Sequence, residues 1–251
     1  MINLEPIFTG KIEYFVEETS STNEMASSLL KKSKVIEGTL FRAGHQSQGK
    51  GQRGRVWDSL PNQNILASYV FFPSFLKSEE QFCLIKAVSL AVKDLLDEHL
   101  FDTVKIKWPN DIYINNLKIA GILIESTVKD SKMGSSIIGI GLNVNQKTFD
   151  PAINATSIIL ETGVGCNISM FVKELSSFLE RRYLMLKKDP CSMDREYEDA
   201  LYLKDTEADY VVNGTLEKRT LVGIDELGQI KLKDQFDDVN AYGLHQVKLV
   251  L

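Results

Sequence analysis

The apolar positions fall into blocks whose period changes from two to about 3.6 residues and back again. Ile12 to Val16 alternate as a strand and lead into Ser21-Thr22-Asn23-Glu24. There Ser21 and Glu24 read as a capping box, and Met25, Leu29 and Leu30 supply the apolar stripe of a helix reaching Lys32. Thr39 to Ala43 has strand composition, and Asn64 to Phe72 reads as a buried strand. From Glu79 to His99, Phe82, Ile85, Val88, Leu95 and Leu96 recur at helical spacing. Two β-rich runs flank the turn signal Pro109-Asn110-Asp111, with a second hairpin turn at Asn115-Asn116. Ser136 to Val144 is a further buried strand; helices are predicted from Asn167 to Lys187 and from Ser192 to Leu203. Near Lys204 the texture changes to short strands at Tyr210–Val212, Thr220–Ile224, Gln229–Leu232 and His245–Val250. The pattern predicts a larger domain of strands and helices with a small β-barrel-like module docked on it.

Between the second and third predicted strands runs Gly49-Lys50-Gly51-Gln52-Arg53-Gly54-Arg55-Val56-Trp57. Glycines admit positive φ and close ligand approach, and the cations and amides can face an anion. Such a run is either a phosphate cradle or a solvated loop, and its suspension between two strands favours the cradle. It is no Walker A motif, because no Gly-Lys-Ser/Thr closes it. It is no dinucleotide fingerprint either, because a strand follows where a helix should.

Other candidates lie beside predicted turns. Ser21, Thr22 and Asn23 either cap their helix or also hydrogen-bond a polar ligand. Val104, Ile106 and Trp108 alternate with Lys105 and Lys107, so a covered opposite face would half-bury one lysine against a carboxylate or phosphate. Ala120-Gly121 removes bulk from the adjoining strand, and Gly139 and Gly141 thin another. Asn143 either satisfies the turn that follows or presents its amide to a nucleobase.

Composition narrows the class. The 251 residues are 43% hydrophobic and 25% charged, enough for one substantial domain and a small one. A net charge of -5 argues against a dedicated nucleic-acid binder, so the basic loop is a local exception. Cys83, Cys166 and Cys191 are too scattered for a zinc site or disulfide framework. The N-terminus carries no export pattern, and no apolar run reaches the ~18 residues of a membrane span. A soluble, cytoplasmic protein is expected.

In this order, Ser21-Thr22-Asn23, the Gly49-to-Trp57 loop, Lys107-Trp108-Pro109-Asn110-Asp111, Ala120-Gly121-Ile122-Leu123 and Gly139-Ile140-Gly141-Leu142-Asn143 closely resemble the biotin protein ligases. The resemblance implies an α+β fold: a mixed-sheet catalytic domain of the biotin/lipoate ligase type over residues 1–203 and an SH3-like β-barrel over 204–251. It implies a biotin–[acetyl-CoA-carboxylase] ligase that joins biotin and MgATP into biotinyl-5′-adenylate and then acylates a lysine of a biotin carboxyl carrier protein. Lys107 would bridge the reacting anions, and Arg53, with Lys50 and Arg55, would screen the phosphates. Ser21, Thr22, Asn23 and Gln46 would meet the biotin head group, Asn143 would face adenine, and Trp57 would pack beside the ligand. Gly49, Gly51, Gln52, Gly54, Gly121, Gly139 and Gly141 complete the implied binding set.

Two departures stand out. The best-known bacterial loop reads Gly-Arg-Gly-Arg-Arg-Gly-Arg, whereas here Lys50 and Gln52 replace the first two arginines. Some family members also carry an N-terminal DNA-binding domain; here the catalytic pattern begins by Ile12, so ligase activity without DNA binding is expected. The competing readings are a lipoate ligase of related fold and a protein that only holds biotin or a carrier. An octanoyltransferase would need a cysteine near Lys107, and the three cysteines lie outside every motif. Exposed strand edges are candidates for pairing with the carrier or with a second copy in a homodimer.

Overall fold

The computed structural model describes residues 5–100 and 104–250. Met1 to Leu4, part of the stretch read for an export signal, lie outside them. Among the described residues one sheet contains β1 (Glu13–Thr19), β2 (Leu40–Gln46), β3 (Asn64–Phe71), β4 (Val104–Lys107), β5 (Asp111–Ile114), β6 (Leu117–Lys129) and β7 (Lys132–Asn143). Their order is β1-β2-β3-β7-β6-β5-β4. Only β1 and β2 run parallel. A parallel pair cannot be joined by a tight turn, and α1 (Thr22–Lys32) makes the crossover. The remaining helices are α2 (Gln81–Asp97), α3 (Ile158–Thr162), α4 (Ile168–Lys188) and α5 (Asp194–Asp199).

Helices α2 and α4 cover one face of the sheet and α1 part of the other, and β3, near its centre, is buried at every residue and so reads as an unbroken buried run. Ile65, Ala67, Tyr69 and Phe71 join the main core with Val88 and Leu95 of α2 and Leu175 and Leu179 of α4. Each such leucine contributes roughly 1.5–3 kcal/mol by leaving water. Val70 points the other way, into a smaller cluster with Ala26, Phe41 and Ile137 under α1. Strand alternation puts Ser68, Gly121, Leu123, Gly139 and Gly141 on the α1 side as well, where α1 stops short of covering the sheet.

The C-terminal module is a five-stranded antiparallel sheet ordered β11-β10-β9-β8-β12. It comprises β8 (Glu207–Val212), β9 (Thr215–Ile224), β10 (Ile230–Lys233), β11 (Val239–Tyr242) and β12 (Val247–Leu249). Among the described residues it has no core of its own: Tyr210, Leu221, Leu232 and Val247 belong to the same buried cluster as the seven-stranded sheet. Trp108 Nε1 donates to the Gly228 carbonyl at 2.9 Å, and Ile224 N to Glu198 Oε1 at 3.0 Å, clamping the module in place.

Several expectations need correction. Ser21 holds the N-cap position of α1, but its side chain caps nothing; Ser20 Oγ instead donates to Glu24 Oε2 at 2.6 Å. The helix expected from Glu79 begins at Gln81 after a short 3-10 turn. The helix expected over Ser192–Leu203 is α5 alone, because Ile106 N bonds Ala200 O and Tyr202 N bonds Ile106 O at the β4 edge. That pairing covers the outer edge of β4. Strand β11 was missed because three of its four residues are exposed and carry no alternation.

Candidate active site

The uncovered floor on the α1 side lies in an open cleft enclosing about 730 Å³, solvent included. One end is floored by the uncharged polar side chains of Ser21, Thr22, Asn23 and Gln46. Thr22 N and Thr22 Oγ1 donate to Gln46 Oε1 at 2.7 and 3.0 Å. Ser68 Oγ lies 2.7 Å from Thr22 Oγ1 and 2.6 Å from Asn23 Oδ1, and Asn23 Nδ2 donates to Glu125 Oε2 at 2.6 Å. Ser21, Thr22 and Asn23 are all buried, so their polar atoms face one another and the cleft rather than bulk water.

The glycines of β6 and β7 line the cleft and also sit close against protein side chains. A Cβ on Gly139 would stand 2.4 Å from Asn23 Oδ1. On Gly141 and Gly121 it would stand 2.3 and 3.0 Å from the indole of Trp57. Trp57 therefore lies flat along the glycine strip as one wall of the cleft, its Nε1 buried without a partner.

The loop is ordered by its own backbone. Trp57 N bonds Gly49 O at 2.9 Å and Gly51 N bonds Arg55 O at 2.7 Å. Arg53 and Gly54 make the tip with φ of 58° and 73°, the left-handed region that glycine enters at no steric cost. Gly49 and Gly54 line no cleft; Gly51, Gln52 and Arg55 do. Lys50, expected at the phosphates, is paired to Glu24 Oε1 at 2.7 Å, and that bond raises its pKa. Among the described residues Arg53 and Arg55 are exposed and make no ion pair.

A second cleft adjoins the first through Gln52, Arg55, Asn110 and Asp111. Lys107 lines it, half-buried, with Nζ 3.5 Å from the Tyr113 hydroxyl and 5.1 Å from that ring's centre. Burial lowers its pKa, opposed by Asp111 and assisted by the cations Lys118, Arg55 and Lys248. Asp111 itself is paired with Lys118 at 2.7 Å. The Pro-Asn-Asp turn behind Lys107 is pinned by Tyr197, whose hydroxyl donates to the Pro109 carbonyl at 2.7 Å, and by Asn110 Nδ2 donating to Ile122 O. The C-terminal module supplies the far wall, including Tyr210, Val247 and the exposed Lys248.

A cleft floored by uncharged polar side chains, with Lys50, Lys118 and Asp111 along its wall, thus opens into one that carries Lys107, Arg53 and Arg55. Such a pair suits an elongated ligand with a polar head and an anionic tail that meets phosphate.

A sequence profile described as the Biotin/lipoate A/B protein ligase family matches residues 15–143. The chain belongs to that family. It is 35% identical over 169 residues to the Bacillus subtilis (strain 168) bifunctional ligase/repressor BirA, covering 65% of this chain and 51% of that protein. It is 28% identical over 254 residues to the chloroplastic biotin–protein ligase 1 of Arabidopsis thaliana, covering 94% of this chain and 65% of that one. The chain spans about half the length of the Bacillus relatives it matches. In three dimensions it superposes on the Aquifex aeolicus biotin protein ligase solved with biotin and ATP, with a TM-score of 0.80 and 24% identity over 96% of this chain and 99% of that chain. The mixed sheet and appended five-stranded sheet are this ligase fold.

Against the fold of the biotin/lipoate ligases, the expected site residues divide. Ser21, Thr22, Asn23, Gln46, Lys50, Gly51, Gln52, Arg55, Trp57, Gly121, Gly139 and Gly141 line the first cleft, and Lys107 and Arg53 the second. Asn143 lines neither. It is buried two residues beyond Gly141, its Nδ2 donates to Thr156 O at 2.9 Å, and its Oδ1 is unpartnered. Asp111, Lys118 and Lys248, which line the clefts, were missed, as were Ser68 and Glu125, which bond to residues that do; the serine within the apolar run of β3 was the one signal available. No helix among the described residues is long and apolar enough to cross a membrane.

Proposed function

We propose that this chain activates biotin as biotinyl-5′-adenylate and transfers it to a lysine of a biotin carboxyl carrier protein. The observation that carries the reading is the junction of the two clefts: an uncharged donor–acceptor floor on one side, and Lys107, Arg53 and Arg55 without ion pairs on the other. The Aquifex aeolicus ligase, solved with biotin and ATP on the same fold, supports it.

In the first step a biotin carboxylate oxygen attacks the α-phosphorus of ATP, and pyrophosphate leaves. Two anions must approach, and Lys107 at the junction offsets their repulsion and the charge that builds between them. Arg53 and Arg55 take the outer phosphates with planar, multidentate donors, and Lys248 adds a point charge from the C-terminal module. In the second step the carrier's lysine amine attacks the acyl carbon, AMP leaves, and the nitrogen gives up its proton. Asn143 lines neither cleft and acts here by holding the Thr156 carbonyl against the end of β7.

Magnesium belongs to the nucleotide in this reading. No group of three His, Cys, Asp or Glu side chains suited to a metal occurs among the described residues, and Asp111, which faces both clefts, is held by Lys118. Mg²⁺ would be carried in by phosphate oxygens and would help neutralise the leaving pyrophosphate.

Lipoate ligation on the same fold is the second reading. A dithiolane offers neither donor nor acceptor to the Thr22–Ser68–Asn23–Gln46 floor, and a buried polar site discriminates strongly against a ligand that leaves it unpaired. None of the three cysteines lines either cleft, which removes the thiol that a transferase would need. The test is ATP–pyrophosphate exchange followed by transfer to a carrier domain, with biotin and lipoate side by side. Biotin-dependent exchange and carrier labelling are expected; lipoate-dependent exchange alone would replace this reading with the second.

A further inference from the structure

We propose that Glu125 is a positioning residue for the head-group pocket: it locks the Asn23 amide in one orientation and thereby sets which atoms of the floor donate and which accept. The inference rests on biotin being the substrate.

Glu125 stands exposed on β6, on the same face as Gly121 and Leu123, and reaches the first cleft through Asn23, which lines it. An ionised carboxylate has no proton to give. Asn23 must therefore turn Nδ2 toward Glu125 Oε2, 2.6 Å away, and Oδ1 toward Ser68 and the space left by Gly139. At the opposite end the Thr22 backbone N–H can only donate, so Gln46 meets it with Oε1. Gln46 Nε2 is left as a donor for a ligand. Between these ends Ser68 has one hydroxyl proton and two acceptors in reach, Thr22 Oγ1 and Asn23 Oδ1. One acceptor stays open.

The floor therefore offers a spare acceptor beside a spare donor. That pair complements a head group carrying both N–H and C=O, as a cyclic urea does. Without Glu125 nothing would prevent Asn23 from flipping, which would replace the acceptor with a donor and face it against a ligand N–H. A glutamine at this position keeps an oxygen able to accept from Asn23; an alanine does not.

The test compares wild type, Glu125→Ala and Glu125→Gln. In Glu125→Ala the KM for biotin should rise about tenfold or more, the scale of ~1.4 kcal/mol per decade, while kcat and the KM for ATP stay within about twofold. Glu125→Gln should restore biotin binding to within about threefold of wild type. A merely structural role would move all three constants together and lower the melting temperature. The Asn23 side-chain amide resonances give a readout that needs no substrate: slowed exchange in wild type and Glu125→Gln, lost in Glu125→Ala. An unchanged biotin KM in Glu125→Ala, or unchanged Asn23 resonances, would overturn the proposal. Wild-type protein that binds no biotin would overturn the proposed function instead, and the amide resonances would still decide whether Glu125 orients Asn23.

Discussion

Gly141 and Trp57 meet with no side chain between them: a Cβ on Gly141 would stand 2.3 Å from Cε2 of the indole and 2.7 Å from two further ring atoms. The strand must be bare at this point for the indole to lie against it. Gly141→Ala should therefore leave the sheet folded but expel Trp57 from the cleft wall. Biotin affinity should fall about tenfold or more, each decade being ~1.4 kcal/mol, with a change in tryptophan fluorescence. Unchanged affinity would show that the indole wall contributes nothing to the ligand.

Lys107 is half-buried and makes no ion pair among the described residues; burial first, then its cationic neighbours against the opposing Asp111, favours losing its proton. Its ammonium should titrate below the ordinary lysine value of 10.5. The free enzyme's adenylation rate should then decline with rising pH earlier than an unperturbed lysine would dictate. Saturating ATP should push that limb back up, because bound phosphate favours the charged form. Lys107→Ala should lower adenylation by about 10²-fold or more, in the range found for removing one charge-stabilising group. A pH profile of kcat/KM against that of kcat makes the comparison; superimposable alkaline limbs would count against a phosphate contact.

Glu180 tethers the start of the described chain. Its carboxylate accepts from the backbone N–H groups of Ile7, Phe8 and Thr9 at 2.7, 2.8 and 2.9 Å. Burial pushes its pKa up, but the three amide bonds outweigh burial and the net shift is downward from 4.5. A carboxylate depressed in the folded state stabilises it fully above its unfolded pKa, and the contribution disappears as pH falls through the folded value. Glu180→Gln should cost about 1–3 kcal/mol at pH 7, typical of hydrogen bonds to a charged group. The gap from wild type should narrow below pH 4.5. Urea melts across that window would reveal it, and a constant gap would refute the assignment.

Glu24 holds the basic loop to α1 through Lys50, while Arg53 and Arg55 stand exposed at its tip. Trypsin should cleave after these arginines in free protein and more slowly with biotin and ATP present. Glu24→Gln should accelerate cleavage of the free form, since an exposed pair of this kind contributes little to global stability but restrains the loop locally. Equal cleavage rates in all four conditions would mean that neither the pair nor the ligand orders the loop.

Much of this was legible in the chain. Period-two and period-3.6 apolar spacing located the main strands and long helices because both faces of the central sheet and one face of each helix are buried. Lys107 was legible as a half-covered lysine because Val104 and Ile106 commit the other face of its strand to the core. The end of α5 was not legible: Ala200 to Tyr202 leave the helix because Ile106 offers unpaired backbone groups at a sheet edge, and no local propensity encodes a distant edge.

The amino-acid sequence by itself determined the inventory: the cations of one loop, the hydroxyl-rich turn before α1, the glycines of β6 and β7, and the lysine ahead of a Pro-Asn-Asp turn. Tertiary structure alone decided how that inventory is used. It placed Trp57 rather than open space over Gly141, spent Lys50 on Glu24 and Asn143 Nδ2 on Thr156, and brought Glu125 within 2.6 Å of Asn23 across 102 residues of chain. The physical reason is that a residue's type fixes what it can donate, accept or cover. Which partner consumes that capacity depends on contacts between strands far apart in sequence.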